Sequence, residues 1–221
     1  MVVVNTTNHG GPVARIVRAL AAPGPSDRLR TALAVGTDAD PASAEALVAR
    51  CGVEPDFFVR DMLTWALCRL PAEVTVPLLI DELGSDITQA RSQALHTLSK
   101  IGDTRAWPAV RTLLHDRHDD VARSAWRAAV AVVPPGAEPD LAADLATELG
   151  RGDRDRQLSL SRALVALGDD VLPALDVAAA DADPYVRAHA QATQRLHLDP
   201  DSGFTVSVEL ARRVAATGPD A

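Results

Sequence analysis

The sequence predicts an all-α solenoid of stacked helical hairpins. Three observations carry that prediction. A segment of about thirty residues recurs along the 221-residue chain. Each copy spaces its apolar residues along one face of a 3.6-residue helix. The composition is 47% hydrophobic but only 3% aromatic, with Ala, Leu and Val dominant, which suits close helix–helix packing better than a β-sandwich core.

Taken in order, a first helix is expected over about 12–22, with SDRLRTALAVG as its partner. The loop GTDADPAS leads to a helix over 42–51. From there long helices alternate with shorter ones. The long set comprises DFFVRDMLTWALCRL, ITQARSQALHTLSKIGD, DDVARSAWRAAVAVV, DRDRQLSLSRALVALGD and DPYVRAHAQATQRL. These helices, with the partner of the first, align on Arg30, Arg60, Arg91, Arg123 and Arg187, at spacings of 30, 31, 32 and 64. The last spacing is a double step, and Gln157 fills the missing position with Arg156 one residue away.

An aspartate precedes each anchor by three to five residues, where a helix N-cap or first turn would sit and where the helix dipole favours negative charge. Ala or Leu tends to follow at +3, +6 and +7. Gly102 and Gly168 are natural helix stops. The shorter set includes VTVPLLIDELG, RAWPAVRTLLHD, PDLAADLATELG and DVLPALDVAAAD, with Pro77, Pro108 and Pro173 placed near first turns. A hairpin of this size cannot bury its apolar face alone, so neighbours must stack. A closing helix is expected over about 204–217. Residues 1–10 and 218–221 are expected to be disordered. PPGAEPD (134–140) reads as a turn between repeats, and the chain reads as a single repeat domain over 1–221.

The motif formed by Asp56 with Val59-Arg60, Asp86 with Arg91, Asp119 with Arg123, and Asp183-Pro184-Tyr185-Val186-Arg187 resembles the HEAT repeat. It is closest to the short bacterial version related to the phycobilisome-lyase repeat. The resemblance covers roughly 25–197. It implies a right-handed α-α superhelix of about six helical hairpins, with the arginine-bearing helices on the concave side. It also implies that Arg30, Arg60, Arg91, Arg123 and Arg187 form a structural ladder with the aspartates.

Charge divides by helix type. The net charge is −8. The arginine-bearing helices from 58 onward sum to +7, and the alternate segments from 73 onward sum to −13. Either the ladder neutralises the basic layer, or that layer steers an anionic partner to itself. On the arginine-bearing helices, positions +1, +5 and +8 from the anchor should face away from the core. Trp65, His96, Arg127 and Arg162 lie at +4 and +5, and Trp and Arg are favoured contact residues. Together with Asp61 and Gln93 at the edge they form the candidate binding patch. Phe57 and Phe58, at a helix start, are expected in core or staple packing, and Trp126 in the core.

No phosphate loop, GxGxxG, GxSxG or HExxH occurs. HDRHDD reads as a solvated turn rather than a metal site, and no metal or cofactor is expected. Cys51 and Cys68 lack zinc or CxxC spacing and read as reduced thiols. Without a signal peptide or an apolar run of ~18 residues, a cytoplasmic location is expected. The functional expectation is a non-catalytic scaffold or adaptor. Its partner would be a protein segment, possibly acidic, or a small anionic or aromatic ligand. One alternative is a nucleic-acid binder resembling the alkylpurine DNA glycosylases, with Trp65 and Asp61 as the echo. The other is a chaperone resembling the bilin lyases. The acidic net charge weighs against nucleic acid.

Overall fold

The computed structural model describes residues 11–201, 204 and 206. Its described residues are helical, with no strand. The expected closing helix and both expected disordered ends lie outside the described residues, apart from the two positions 204 and 206.

The chain divides into two compact units, 1–101 and 102–221. The first holds α1 (Pro12–Leu20), α2 (Pro25–Asp38), α3 (Ala44–Val53), α4 (Phe57–Arg69), α5 (Ala72–Glu82) and α6 (Thr88–Ile101). The second holds α7 (Trp107–Arg111), α8 (Asp119–Val132), α9 (Glu138–Ala146), α10 (Arg154–Val165), α11 (Leu172–Ala179) and α12 (Pro184–Leu198). Each unit is therefore three helical hairpins in two layers. In the first, α2, α4 and α6 pack side by side, with α3 and α5 against them. In the second, α8, α10 and α12 form the equivalent layer, with α9 and α11 opposite.

The long helices start where their capping residues dictate. The Asp56 carboxylate accepts from the Val59 amide, Asp153 from Arg156 and Asp183 from Tyr185, each satisfying an amide the helix leaves unpaired. Pro108 and Pro173 occupy the second position of α7 and α11, where the missing N–H costs nothing. Pro77 does not: it lies well inside α5 and removes one internal hydrogen bond there.

The core is aliphatic. Leu63, Leu67, Leu95 and Leu98 fill the first unit; Leu141, Leu145, Leu160 and Leu164 fill the second. Trp126 is fully buried and donates its indole N–H to the Leu114 carbonyl at 2.9 Å. Phe57 and Phe58 depart from the expected staple: both are exposed, stacked edge to face, with Arg60 over the Phe57 ring.

Two buried carboxylates organise the interiors. Glu54 is fully buried and receives Arg28 through two bonds of 2.7 and 2.8 Å, Arg50 at 2.6 Å and the Asp56 amide at 3.0 Å. Burial alone would push this carboxyl up, but the donors from Arg28, Asp56 and Arg50 outweigh it and hold it at about 2. In the second unit the buried Glu148 accepts from His115 at 2.7 Å and Arg151 at 2.6 Å, with Arg156 at 3.4 Å.

Candidate functional site

The site is built on the register of the arginine-bearing helices. In α4 the Arg60 guanidinium reaches back to the carbonyls of Glu54 and Pro55, each at 2.9 Å. In α6 Arg91 reaches Ser85, six residues back, at 2.7 Å. In α12 Arg187 reaches Asp181 and Ala182 at 2.6 and 2.8 Å. Gln157 makes the same reach with an amide, to Gly152 at 3.2 Å. The anchor therefore satisfies the carbonyls of the turn that precedes its own helix.

Two anchors sit elsewhere than the sequence alignment placed them. In α2 the turn carbonyls of Ala22 and Pro23 are taken by Arg28, both at 2.9 Å, while Arg30 is exposed and pairs with Asp27. In α8 the anchor position is Ala122. Burial of Val121, Ala125, Trp126, Ala128 and Ala129 repeats the burial of α4 only in that register. Arg123 is thus one residue past the anchor and pairs with Asp120 at 2.7 Å.

The shift in α8 regularises the candidate patch. Trp65, His96, Arg127 and Arg162 all fall five residues after the anchors Arg60, Arg91, Ala122 and Gln157. Trp65, Arg127 and Arg162 are exposed and His96 is half-buried. The residues one position earlier face inward: Thr64, Leu95, Trp126 and Ser161 are buried. Of the edge residues, Asp61 is exposed and Gln93 half-buried.

Each unit carries two of these four positions. In the first, Trp65 is 39% exposed and lays the rest of its ring against α2, where Gly36 leaves room: a Cβ there would stand 2.4 Å from the indole. The Arg69 guanidinium covers the ring at 6.0 Å. His96 holds the same position on the adjacent helix α6. Exposed Cys68 lies on the same face of α4, but burial raises its thiol above the usual range, against a counter-effect from Lys100, so it is poorly suited to act as a thiolate.

In the second unit an open cleft of about 500 Å³ lies between α8 and α10. Arg123, Arg127 and Arg162 border it, Val130 and Leu158 supply apolar surface, and Asp155 is its one carboxylate. Among the described residues no carboxylate pairs with Arg127 or Arg162. Partial burial, reinforced by the neighbouring charge of Arg123, lowers the pKa of Arg127. The cleft was legible in the sequence only as two arginines on one face. Arg123, a further contributor, is hidden in the sequence by the one-residue shift, whereas Leu158 stands at an outward +1 position of the unshifted α10.

HDRHDD folds into ion pairs. His115 sits between Glu148 and Asp144 at 2.7 and 2.9 Å, and the Glu148 bond, ahead of an opposing burial effect, raises its pKa. His118 pairs with Asp116 at 3.0 Å. Among the described residues no group of three or more His, Cys, Asp or Glu is arranged to hold a metal. No described helix is long and apolar enough to cross a membrane.

The described residues of each unit form stacked helical hairpins. A family model described as HEAT repeats matches residues 54–131, and that stretch of the chain consists of HEAT repeats. No curated protein matches the sequence. Among solved structures the chain is similar to two engineered proteins. One is 19% identical with a TM-score of 0.45, covering 82% of this chain and 94% of the other. The second is 17% identical with a TM-score of 0.46, covering 88% and 100%. It is also similar to the complex of CpcE and CpcF of phycocyanin lyase from Nostoc sp., at 18% identity and a TM-score of 0.41, covering 96% and 98%.

Proposed function

We propose that this protein is a non-catalytic HEAT-repeat scaffold that engages an acidic protein segment through the +5 stripe of its arginine-bearing helices. One observation carries the reading: Trp65 and His96 in the first unit, and Arg127 and Arg162 in the second, each stand five residues after the anchor of their helix, and Trp65, Arg127 and Arg162 are exposed. Trp and Arg are the residues most enriched where partner contacts concentrate their binding energy. The acidity of the opposite layer supports an asymmetric surface that orients an anionic partner.

The test is affinity capture with the full chain, identification by mass spectrometry, and quantitative comparison with Trp65→Ala and Arg162→Ala. A partner recovered at least ten-fold less on both variants, with their helical content unchanged, supports the reading. Equal recovery on all three proteins sinks it. A low-salt mobility shift with duplex DNA would replace it with nucleic-acid binding.

A further inference from the structure

We propose that the cleft between α8 and α10 recognises an acidic and an aliphatic side chain two residues apart on one extended peptide segment. The proposal rests on the scaffold reading and names the chemistry of the partner. It begins from charge. Arg127 and Arg162 lie at equivalent positions on neighbouring helices, and neither is paired with a carboxylate among the described residues. Arg123, the third cation of the cleft, is already committed to Asp120 at 2.7 Å. Arg127 is partly desolvated and feels Arg123 as a like charge, so an entering carboxylate relieves a repulsion the fold leaves in place.

Spacing follows from helix geometry. Leu158 precedes Arg162 by one turn on α10, and four residues of helix rise about 6 Å. Side chains i and i+2 of an extended strand project to the same side about 6.6–6.8 Å apart. A strand lying along α10 therefore sets one side chain on Arg162 and Arg127 and the next same-facing one on Leu158, at the level where α8 presents Arg123, which Asp120 already holds. Asp155 lies beyond Leu158 and repels a second acid there, which confines the acidic residue to the arginine end. The cleft offers no aromatic ring on which a base could stack, which disfavours single-stranded nucleic acid. A small free anion would use the arginines and leave Leu158 uncovered.

The experiment is fluorescence anisotropy with the full chain and labelled Gly/Ser-flanked peptides. One contains Glu-Ser-Leu, one Glu-Leu and one Gln-Ser-Leu. The Glu-Ser-Leu peptide should bind at least five-fold more tightly than Glu-Leu and ten-fold more tightly than Gln-Ser-Leu. Arg127→Met and Arg162→Met should each weaken it at least ten-fold, Arg162→Lys less so, and Arg30→Met not at all. Equal affinity for the two spacings, or indifference to Arg162→Met, overturns the proposal. So does binding of pyrophosphate without binding of any peptide. If no peptide binds while Arg162→Ala still loses the captured partner, this inference fails and the scaffold reading stands. If partner recovery is also unchanged, both fail.

Discussion

Three residues show how local physics decides local outcome. Glu54 is a buried acid that stays ionised because Arg28, Arg50 and the Asp56 amide surround it. Replacing it with Gln leaves two largely buried cations without their anion, so Glu54→Gln should cost about 3–5 kcal/mol in a denaturant titration. Gly36 is the converse case, a residue needed for what it lacks. Its Cβ would stand 2.4 Å from the Trp65 ring and 2.8 Å from the Ala66 Cα, so Gly36→Ala should lose about 1–3 kcal/mol and shift the tryptophan emission. His189 is fully buried, with Nδ1 accepting from the Gly150 amide at 3.1 Å and Nε2 facing the Gln157 carbonyl and Ser161 hydroxyl at 3.0 Å. Nδ1 must then be unprotonated and Nε2 carries the hydrogen. Burial, against the Gln157 bond, pushes this imidazole down to about 4. Its NMR ring signals should stay fixed through pH 6.5 and move only near pH 4.

At the scale of the helix, the periodicity of apolar residues located each long helix to within two residues, because capping aspartates and buried Leu and Ala are both local signals. Phase was harder to read. Arg30 and Arg123 are arginines near the right place, and sequence alone cannot tell an anchor from its neighbour when Arg28 or Ala122 stands beside it. Packing separates them, because only one phase of α8 buries Trp126 and leaves Arg127 outside. With Ala122 as the anchor Trp126 stands at +4, in line with the buried Thr64, Leu95 and Ser161. Arg156 does not take over the anchor's reach, which Gln157 makes itself; it pairs with Asp119 of α8 and covers the Trp126 ring at 5.6 Å. Arg156→Met should therefore destabilise the second unit by several-fold more than Arg30→Met, whose exposed pair contributes about 0–1 kcal/mol. Thermal melts of the two variants provide the comparison.

At the scale of the molecule, the two units should answer acid differently. His189 binds no proton in the folded second unit between pH 6.5 and about 4, whereas the unfolded chain does. Stability there falls as pH drops through that window, by about 3 kcal/mol in all. His115 acts the other way and higher up: its raised pKa adds stability that is complete below 6.5 and lost as pH rises through the folded value. The first unit is insensitive until Glu54 begins to protonate, with its contribution present above 4.5 and lost toward about 2. Hydrogen exchange at pH 4.5–5, corrected for intrinsic rates, should show the second unit losing protection while the first keeps it. Equal loss in both would refute the assignment.

The grip of each anchor on the turn preceding its own helix bears on how such a chain can grow. A hairpin that fastens its own joint carries its fastening with it when copied. Duplication or deletion of a single copy then demands no matching change next door. The stretch around α8 and α10 departs from this, since Arg156 reaches across to Asp119, as Arg28 of α2 does to Glu54 in the first unit. Those two copies are bound to be inherited together, and it is between them that the arginine cleft lies.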